Sequence, residues 1–189
     1  MKEKVAIFGG SFNPPHMAHV LAIAWVLATE DVDRLLMIPT FQHPFAKPLA
    51  PYEARVRMCE LAAGWLPRVT VSRVEEELGG ESKTLRTLEH LRALHPEWAM
   101  RLVIGGDLVL ETDKWFRFDR IQELAPPLVV GRAGFDAPGV PTALLPAVSS
   151  TEVRARAAAG EWETLRTLVP RDVLEYLRAE RLYGGISEQ

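Results

Sequence analysis

The sequence predicts a doubly wound α/β fold on a mainly parallel sheet, and three observations carry that expectation. Short apolar runs that suit buried strands alternate with longer stretches of helical spacing, the pattern of a parallel sheet covered on both faces. One early run ends in Gly9-Gly10 and a later one in Gly105-Gly106, glycine turns of the kind expected at the carboxyl edge of such a sheet. The chain has 189 residues, 48% of them hydrophobic, which suits one domain over 1–189 with a C-terminal helical part from about 150.

The elements follow in order. Residues 5–8 form an apolar run, as a buried parallel strand requires. Asn13 before Pro14-Pro15 looks like a helix N-cap with a proline in the first turn, and the helix continues through 20–28. Residues 35–38 are a second strand, stopped by Pro39. Residues 39–51 hold four prolines, Phe41, Phe45, His43 and Lys47, a loop long enough for a role beyond connection. Residues 52–66 have helical spacing, with Val56, Cys59, Leu61 and Ala62 toward the core. Residues 69–72 are a third strand, 84–94 a helix with Leu85, Leu88 and Leu91 on one face, and 102–104 a fourth strand. Residues 108–124 give one or two helices around Trp115, Phe116 and Phe118. Residues 128–130 and 143–145 are the fifth and sixth strands. Ser149-Ser150-Thr151-Glu152 opens a helical region to about Leu182, which Pro170 must break or restart as a new helix. Glu75-Glu76-Glu77 reads as a solvated turn, and His90 and His95 as surface residues.

Net charge is 22 − 25 = −3 without a basic run, which argues against a general nucleic-acid binder. A locally basic site for a small anion remains compatible with that balance. The single cysteine, Cys59, cannot form an internal disulfide, so a reducing compartment fits. The apolar segment that follows Met1-Lys2-Glu3-Lys4 is too short for a signal-peptide core or a membrane span, and the expectation is a cytoplasmic protein with no membrane partner. Self-association into a homo-oligomer stays open.

Chemistry concentrates in the first turn. Gly9 and Gly10 let the backbone turn and approach a ligand with no Cβ in the way. The helix that follows offers unpaired N–H groups and the positive end of its dipole, a natural phosphate site. His16 and His19 lie three residues apart, so their rings share a face and can donate to adjacent phosphates. A glycine pair or a histidine at a helix start is, alone, more often structural; strand, Gly-Gly, Asn-Pro-Pro and the histidine pair together point to phosphate handling. The turn matches neither Walker A nor G-x-G-x-x-G, which disfavours a P-loop ATPase or a dehydrogenase.

Gly9-Gly10-Ser11-Phe12-Asn13-Pro14-Pro15-His16-Met17-Ala18-His19 resembles the G-G-[ST]-F-[DN]-P-x-H-x-G-H signature of the HxGH nucleotidyltransferase superfamily, with Ala18 at a glycine position. Val148-Ser149-Ser150-Thr151-Glu152-Val153-Arg154 is, on physical grounds, a hydroxyl-capped helix start with a basic residue one turn in. It is similar to the I-S-S-T-x-[IV]-R motif of the same superfamily. Gly105-Gly106-Asp107 followed by Lys114-Trp115-Phe116 resembles the G-x-D…W-[YF] segment of bacterial nicotinate-nucleotide adenylyltransferases. Ser82-Lys83-Thr84-Leu85-Arg86-Thr87-Leu88 resembles their S-x-T-x-x-T-L segment. The family's P-P-H-[KR] is met by His43-Pro44-Phe45-Ala46-Lys47. Lys47 matches there, the family histidine position falls on Ala46, and His43 either substitutes or is simply exposed. The resemblance runs from residue 4 to about residue 177.

The resemblance implies a Rossmann-like nucleotidyltransferase fold and transfer of AMP from ATP to nicotinate mononucleotide, with Mg²⁺ arriving on ATP and no metal held by side chains. It implies His16, His19 and Arg154 as catalytic, charge-assisted donors. For ATP it implies Gly9, Gly10, Ser11, Phe12, His16, His19, Gly105, Asp107, Ser150, Thr151 and Arg154. For the acceptor it implies Asn13, Lys47, Ser82, Thr84, Asp107, Trp115 and Phe116, with the Trp115 ring a flat wall for a pyridine. Nicotinamide mononucleotide, pantetheine phosphate and an alcohol phosphate are rival acceptors within the superfamily. A class I tRNA synthetase would need a much longer chain and a K-M-S-K-S-like loop. From a different class, a nucleotide-binding sensor without catalysis is the remaining rival.

Overall fold

The computed structural model describes residues 2–43, 48–109, 115–133, 141 and 145–184. Five strands are described: β1 (Glu3–Gly10), β2 (Arg34–Pro39), β3 (Val69–Val71), β4 (Trp98–Gly105) and β5 (Pro127–Val130). They form one sheet in the order β3-β2-β1-β4-β5, parallel at every pairing. The helices are α1 (Met17–Thr29), α2 (Tyr52–Ala63), α3 (Val74–Leu78), α4 (Thr84–Leu94), α5 (Gly106–Val109), α6 (Phe118–Leu124), α7 (Ser150–Ala158) and α8 (Arg171–Ala179), with a 3-10 turn over Thr164–Thr167.

The strands read as unbroken apolar runs because both of their faces are covered. Ala6, Leu35, Met37, Val103 and Leu128 point into a core shared with α1, α2, α7 and α8. Their neighbours Val5, Ile7, Leu36, Leu102 and Ile104 point into a second core with Leu85, Leu88 and Leu91 of α4 and Ile121 and Leu124 of α6. Cys59 is fully buried in the first core, as its spacing predicts. Removal from water of each such large side chain contributes roughly 1.5–3 kcal/mol.

The chain winds outward from β1 in both directions, through β2 and β3 on one side and β4 and β5 on the other. This places the topological switch between β1 and β4, which pair with Ile7 opposite Leu102. Gly9–Gly10 and Gly105–Gly106 therefore reach the same crevice, where ligands of such sheets bind.

Four sequence expectations are corrected or sharpened. Asn13 is not the cap of α1: His16 is, in extended conformation, and the helix starts at Met17. A residue before proline is steered away from helical geometry, and here Asn13 precedes Pro14, which precedes Pro15. Glu75-Glu76-Glu77 is not a free turn but the body of α3, anchored by buried Val74. Glu75 turns inward to accept hydrogen bonds from Phe41 N–H and from Thr87 Oγ1, both at 3.1 Å. His95 ends α4 and stacks on Trp98 with ring centroids 3.7 Å apart. Of the expected sixth strand, Leu145 forms an isolated parallel bridge with Arg132, while 143 and 144 lie outside the described residues. Pro170 interrupts the terminal helices as expected and caps α8. Among the described residues no helix is long and apolar enough to cross a membrane.

Candidate active site

Two cavities open at the carboxyl edge of the sheet, and Gly9, Gly10, Ser11, Val103 and Leu108 belong to the walls of both. The first, about 240 Å³, extends over Phe12, His16, Ala18, His19, Arg132 and Ser150. The second, about 310 Å³, extends over Thr40, His43, Glu75, Ser82, Thr84 and Trp115. The end of β1 is thus a partition between two compartments.

The glycines serve this partition through space, not through unusual backbone angles. Both lie inside β1, and neither has a positive φ. A Cβ on Gly10 would come within 3.1 Å of the Phe12 ring, whereas one on Gly9 would project into open space. The left-handed residue of the turn is Phe12, at φ 43°. Its ring is buried and meets the Phe8 and His19 rings edge-on. That packing sets the floor of the first cavity.

His16 and His19 come together as their spacing predicts, with stacked rings whose centroids are 3.8 Å apart. The His16 backbone N–H donates to His19 Nδ1 at 3.1 Å. His16 Nδ1 is buried without a hydrogen-bond partner among the described residues. Burial, and then the positive charge of Arg132, push the His16 ring down to about 4 from 6.5. Burial and the neighbouring charges of His16 and Arg132 hold His19 well below the usual histidine range. Both shifts favour the neutral imidazoles in the protein without nucleotide. An imidazolium here would be poorly solvated and repelled by the positive charge of Arg132.

The start of α7 docks on the same turn. Ser149 caps the helix by accepting from Glu152 N–H at 3.1 Å. Ser150 Oγ donates to Pro14 O at 2.9 Å, and Arg154 Nη1 to Asn13 O at 2.8 Å. Arg154 Nη2 reaches Thr151 Oγ1 at 3.2 Å. The N-termini of α1 and α7 thus face one space, each contributing partial positive charge and N–H groups.

In the second cavity Ser82 Oγ accepts from Phe41 N–H at 2.9 Å and Gln42 N–H at 3.3 Å. Thr84 begins α4 on the cavity wall. Trp115 lines the cavity and is braced edge-on by Phe118, with centroids 5.8 Å apart. Phe116 is 73% exposed and lines neither cavity. Asn13 is buried, its Oδ1 taken by Ala50 N–H at 3.0 Å and Tyr183 Oη at 2.5 Å. Thr151 is exposed on α7. Asp107 is the second residue of α5, directly after β4. Lys47 lies outside the described residues.

Sequence reasoning missed three polar residues. Arg132, just past β5, lines the first cavity and donates to Val148 O at 2.6 Å, beside the α7 start. Glu75 lines the second cavity. Arg55 is buried and donates to Ala50 O, just ahead of α2. A signal existed for Arg55, which shares the core-facing stripe of α2 with Cys59 and Ala62.

Residues 7–156 match the Cytidylyltransferase-like family. A probable nicotinate-nucleotide adenylyltransferase of Anaeromyxobacter dehalogenans is 53% identical over 187 residues, covering 97% of this chain and 98% of that one. One from Thermus thermophilus is 34% identical over 186 residues, covering 95% and 99%. The fold is also that of Plasmodium falciparum nicotinic acid mononucleotide adenylyltransferase, solved in complex with NaAD, at a TM-score of 0.83 and 16% identity over 96% of this chain and 97% of that one.

Proposed function

The chain belongs to the nicotinate-nucleotide adenylyltransferases of the Cytidylyltransferase-like family, and from that premise we propose how its two compartments divide the reaction. The enzyme transfers AMP from ATP to nicotinate mononucleotide, giving nicotinate adenine dinucleotide and pyrophosphate. The observation that carries the division of labour is the partition at Gly9, Gly10 and Ser11, shared by both cavities. ATP takes the first cavity and the mononucleotide the second, so that the acceptor phosphate and the α-phosphorus meet over the end of β1.

A phosphate oxygen of the mononucleotide attacks the α-phosphorus in line. The bond from that phosphorus to the oxygen bridging to the β-phosphate breaks, and pyrophosphate leaves with the bonding pair. The attacking oxygen is already anionic, so no general base is needed; positioning and stabilisation of charge carry the catalysis. His16 and His19 donate from neutral rings, while Arg154 and Arg132 supply the fixed positive charge. The α1 and α7 starts add backbone donors to the triphosphate. Gly9, Gly10, Ser11, Phe12, Gly105, Asp107, Ser150 and Thr151 complete the ATP side. Ser82, Thr84, Asp107 and Trp115 complete the acceptor side with Lys47 as phosphate ligand, and Asn13 acts through its hydrogen bonds to Ala50 and Tyr183.

Among the described residues no group of three or more His, Cys, Asp or Glu side chains is arranged to hold a metal ion. The donors present are N–H groups and guanidinium ions, which suit phosphate oxygens, so Mg²⁺ fits here as an ion carried by ATP. When bound it neutralises charge on the departing pyrophosphate. The test is pyrophosphate release from ATP and Mg²⁺ with nicotinate mononucleotide, nicotinamide mononucleotide or phosphopantetheine in parallel. Release is expected first with the nicotinate nucleotide, and silence with both pyridine nucleotides would overturn the assignment.

A further inference from the structure

Arg55, in the first turns of α2, is 1% exposed and lines neither cavity. Its Nε donates to Ala50 O at 3.0 Å, Nη1 to Ser11 O at 3.1 Å and Thr40 O at 2.7 Å, and Nη2 to Phe41 O at 3.4 Å. Among the described residues these carbonyls, not a carboxylate, are its hydrogen-bond acceptors. A planar guanidinium with five N–H donors can serve several carbonyls at once in a fixed geometry, which a flexible ammonium cannot.

The four acceptors belong to three segments that the site needs in register. Ser11 is on the partition between the cavities, Thr40 and Phe41 follow β2, and Ala50 precedes α2. One buried group therefore holds both ends of the 41–50 loop together and fastens them to the partition. That loop carries His43, on the wall of the second cavity, and Lys47, the acceptor-phosphate ligand of the reading above. Two further bonds brace the same ends: Ala50 N–H to Asn13 Oδ1 and Phe41 N–H to Ser82 Oγ. The nucleotide side has further ties that Arg55 does not make, from Ser150 to Pro14 O and from Arg154 to Asn13 O.

We propose that Arg55 is a positioning residue for the acceptor, setting the mononucleotide phosphate against the α-phosphorus by fastening Thr40, Phe41 and Ala50 to Ser11. The proposal rests on the adenylyl-transfer reading. Its loss weakens acceptor binding and turnover, while ATP binding persists on ties that Arg55 does not make.

The experiment compares the parent with Arg55→Lys and Arg55→Met. It reads thermal melting, ATP affinity by calorimetry, and kcat and KM for nicotinate mononucleotide by pyrophosphate release. For Arg55→Met the expected result is an acceptor KM raised about tenfold and kcat lowered about 10²-fold, the scale of an ångström-sized misplacement. ATP affinity stays within about twofold, and Arg55→Lys, which still reaches one or two carbonyls, falls between. Equal weakening of ATP and acceptor, or a lysine variant no better than methionine, overturns the proposal. So does an unchanged acceptor KM with activity lost only in proportion to unfolded protein. If Arg55→Met does not fold, Arg55→Lys decides; if neither folds, Arg55 serves stability and the proposal fails. A parent with no pyridine-nucleotide activity sinks the reaction assignment and this proposal with it, whereas an active parent with insensitive variants sinks the proposal alone.

Discussion

The His19 Nδ1 atom accepts the backbone N–H of His16 at 3.1 Å, and that bond decides which proton the His19 ring can offer. An Nδ1 used as acceptor carries no hydrogen, so the neutral ring holds its proton on Nε2. One contact thus caps the helix and presents a donor without the cost of a buried cation.

Substitutions at His19 should separate those two jobs. Asparagine places an oxygen near the Nδ1 position and can keep the cap; glutamine places an N–H near Nε2 and can keep the donor. His19→Ala should lose roughly 10²–10³-fold in kcat, the scale for a missing transition-state donor. His19→Gln should retain more activity than His19→Asn. His19→Asn should be more stable than His19→Ala by about 1 kcal/mol. Steady-state kinetics and urea unfolding on the three variants check this; equal turnover for the asparagine and glutamine variants would count against the Nε2 donor.

Stability should fall on mild acidification because His16 is buried neutral. Its proton affinity drops from 6.5 in the unfolded chain to about 4 in the folded one. Between those values the unfolded state binds the extra proton, so acid pulls the equilibrium toward unfolding. The His16 contribution is whole above about pH 6.5 and is lost toward pH 4, on the order of 3 kcal/mol across the window. His19 acts in the same direction. Urea midpoints for the parent and His16→Asn at pH 7 and pH 5 check this, and the variant should show the smaller decline. Identical declines would mean that His16 already takes its proton in the folded state.

The winding of the sheet was legible because strands covered on both faces leave contiguous apolar runs, as at 5–8 and 102–104. The histidine pair was legible because both rings come from one local segment. What escaped was polar side chains turned inward by partners remote in sequence. Arg55 reaches Ser11 O across 44 positions, and Asn13 is taken by Tyr183 across 170. The same remote bond explains why Asn13 suggests a cap locally and is recruited elsewhere in the fold. Glu75 shows the converse, since a run of three carboxylates looks solvated until Phe41 and Thr87 offer one of them donors.

Arg154 ties the start of α7 to the turn that precedes α1 by a fork, one nitrogen on Asn13 O at 2.8 Å and another on Thr151 Oγ1 at 3.2 Å. A lysine keeps the charge but cannot make both bonds and still face a phosphate. Arg154→Lys should raise the KM for ATP about tenfold, the worth of one charge-assisted hydrogen bond. The KM for the mononucleotide should move far less. Initial-rate measurements varying each substrate in turn give the comparison, and an equal effect on both substrates would remove Arg154 from the nucleotide side.

Trp115 and Phe116 are neighbours of similar chemistry, yet they occupy different environments. Trp115 lines the second cavity and is held by Phe118, whereas Phe116 is 73% exposed and faces neither cavity. A braced aromatic wall can stack on a pyridine ring with little loss of side-chain freedom, and removal of such a stack costs about 1–3 kcal/mol. Trp115→Ala should therefore raise the KM for nicotinate mononucleotide by about 5- to 150-fold while leaving the KM for ATP near the parent value. Phe116→Ala should leave both constants within about twofold, as for a surface side chain without a substrate contact. The two variants need only pyrophosphate-release kinetics beside the parent. An acceptor defect in Phe116→Ala as large as that in Trp115→Ala would mean that Phe116 moves onto the substrate, and the stacking surface would then have to include both rings.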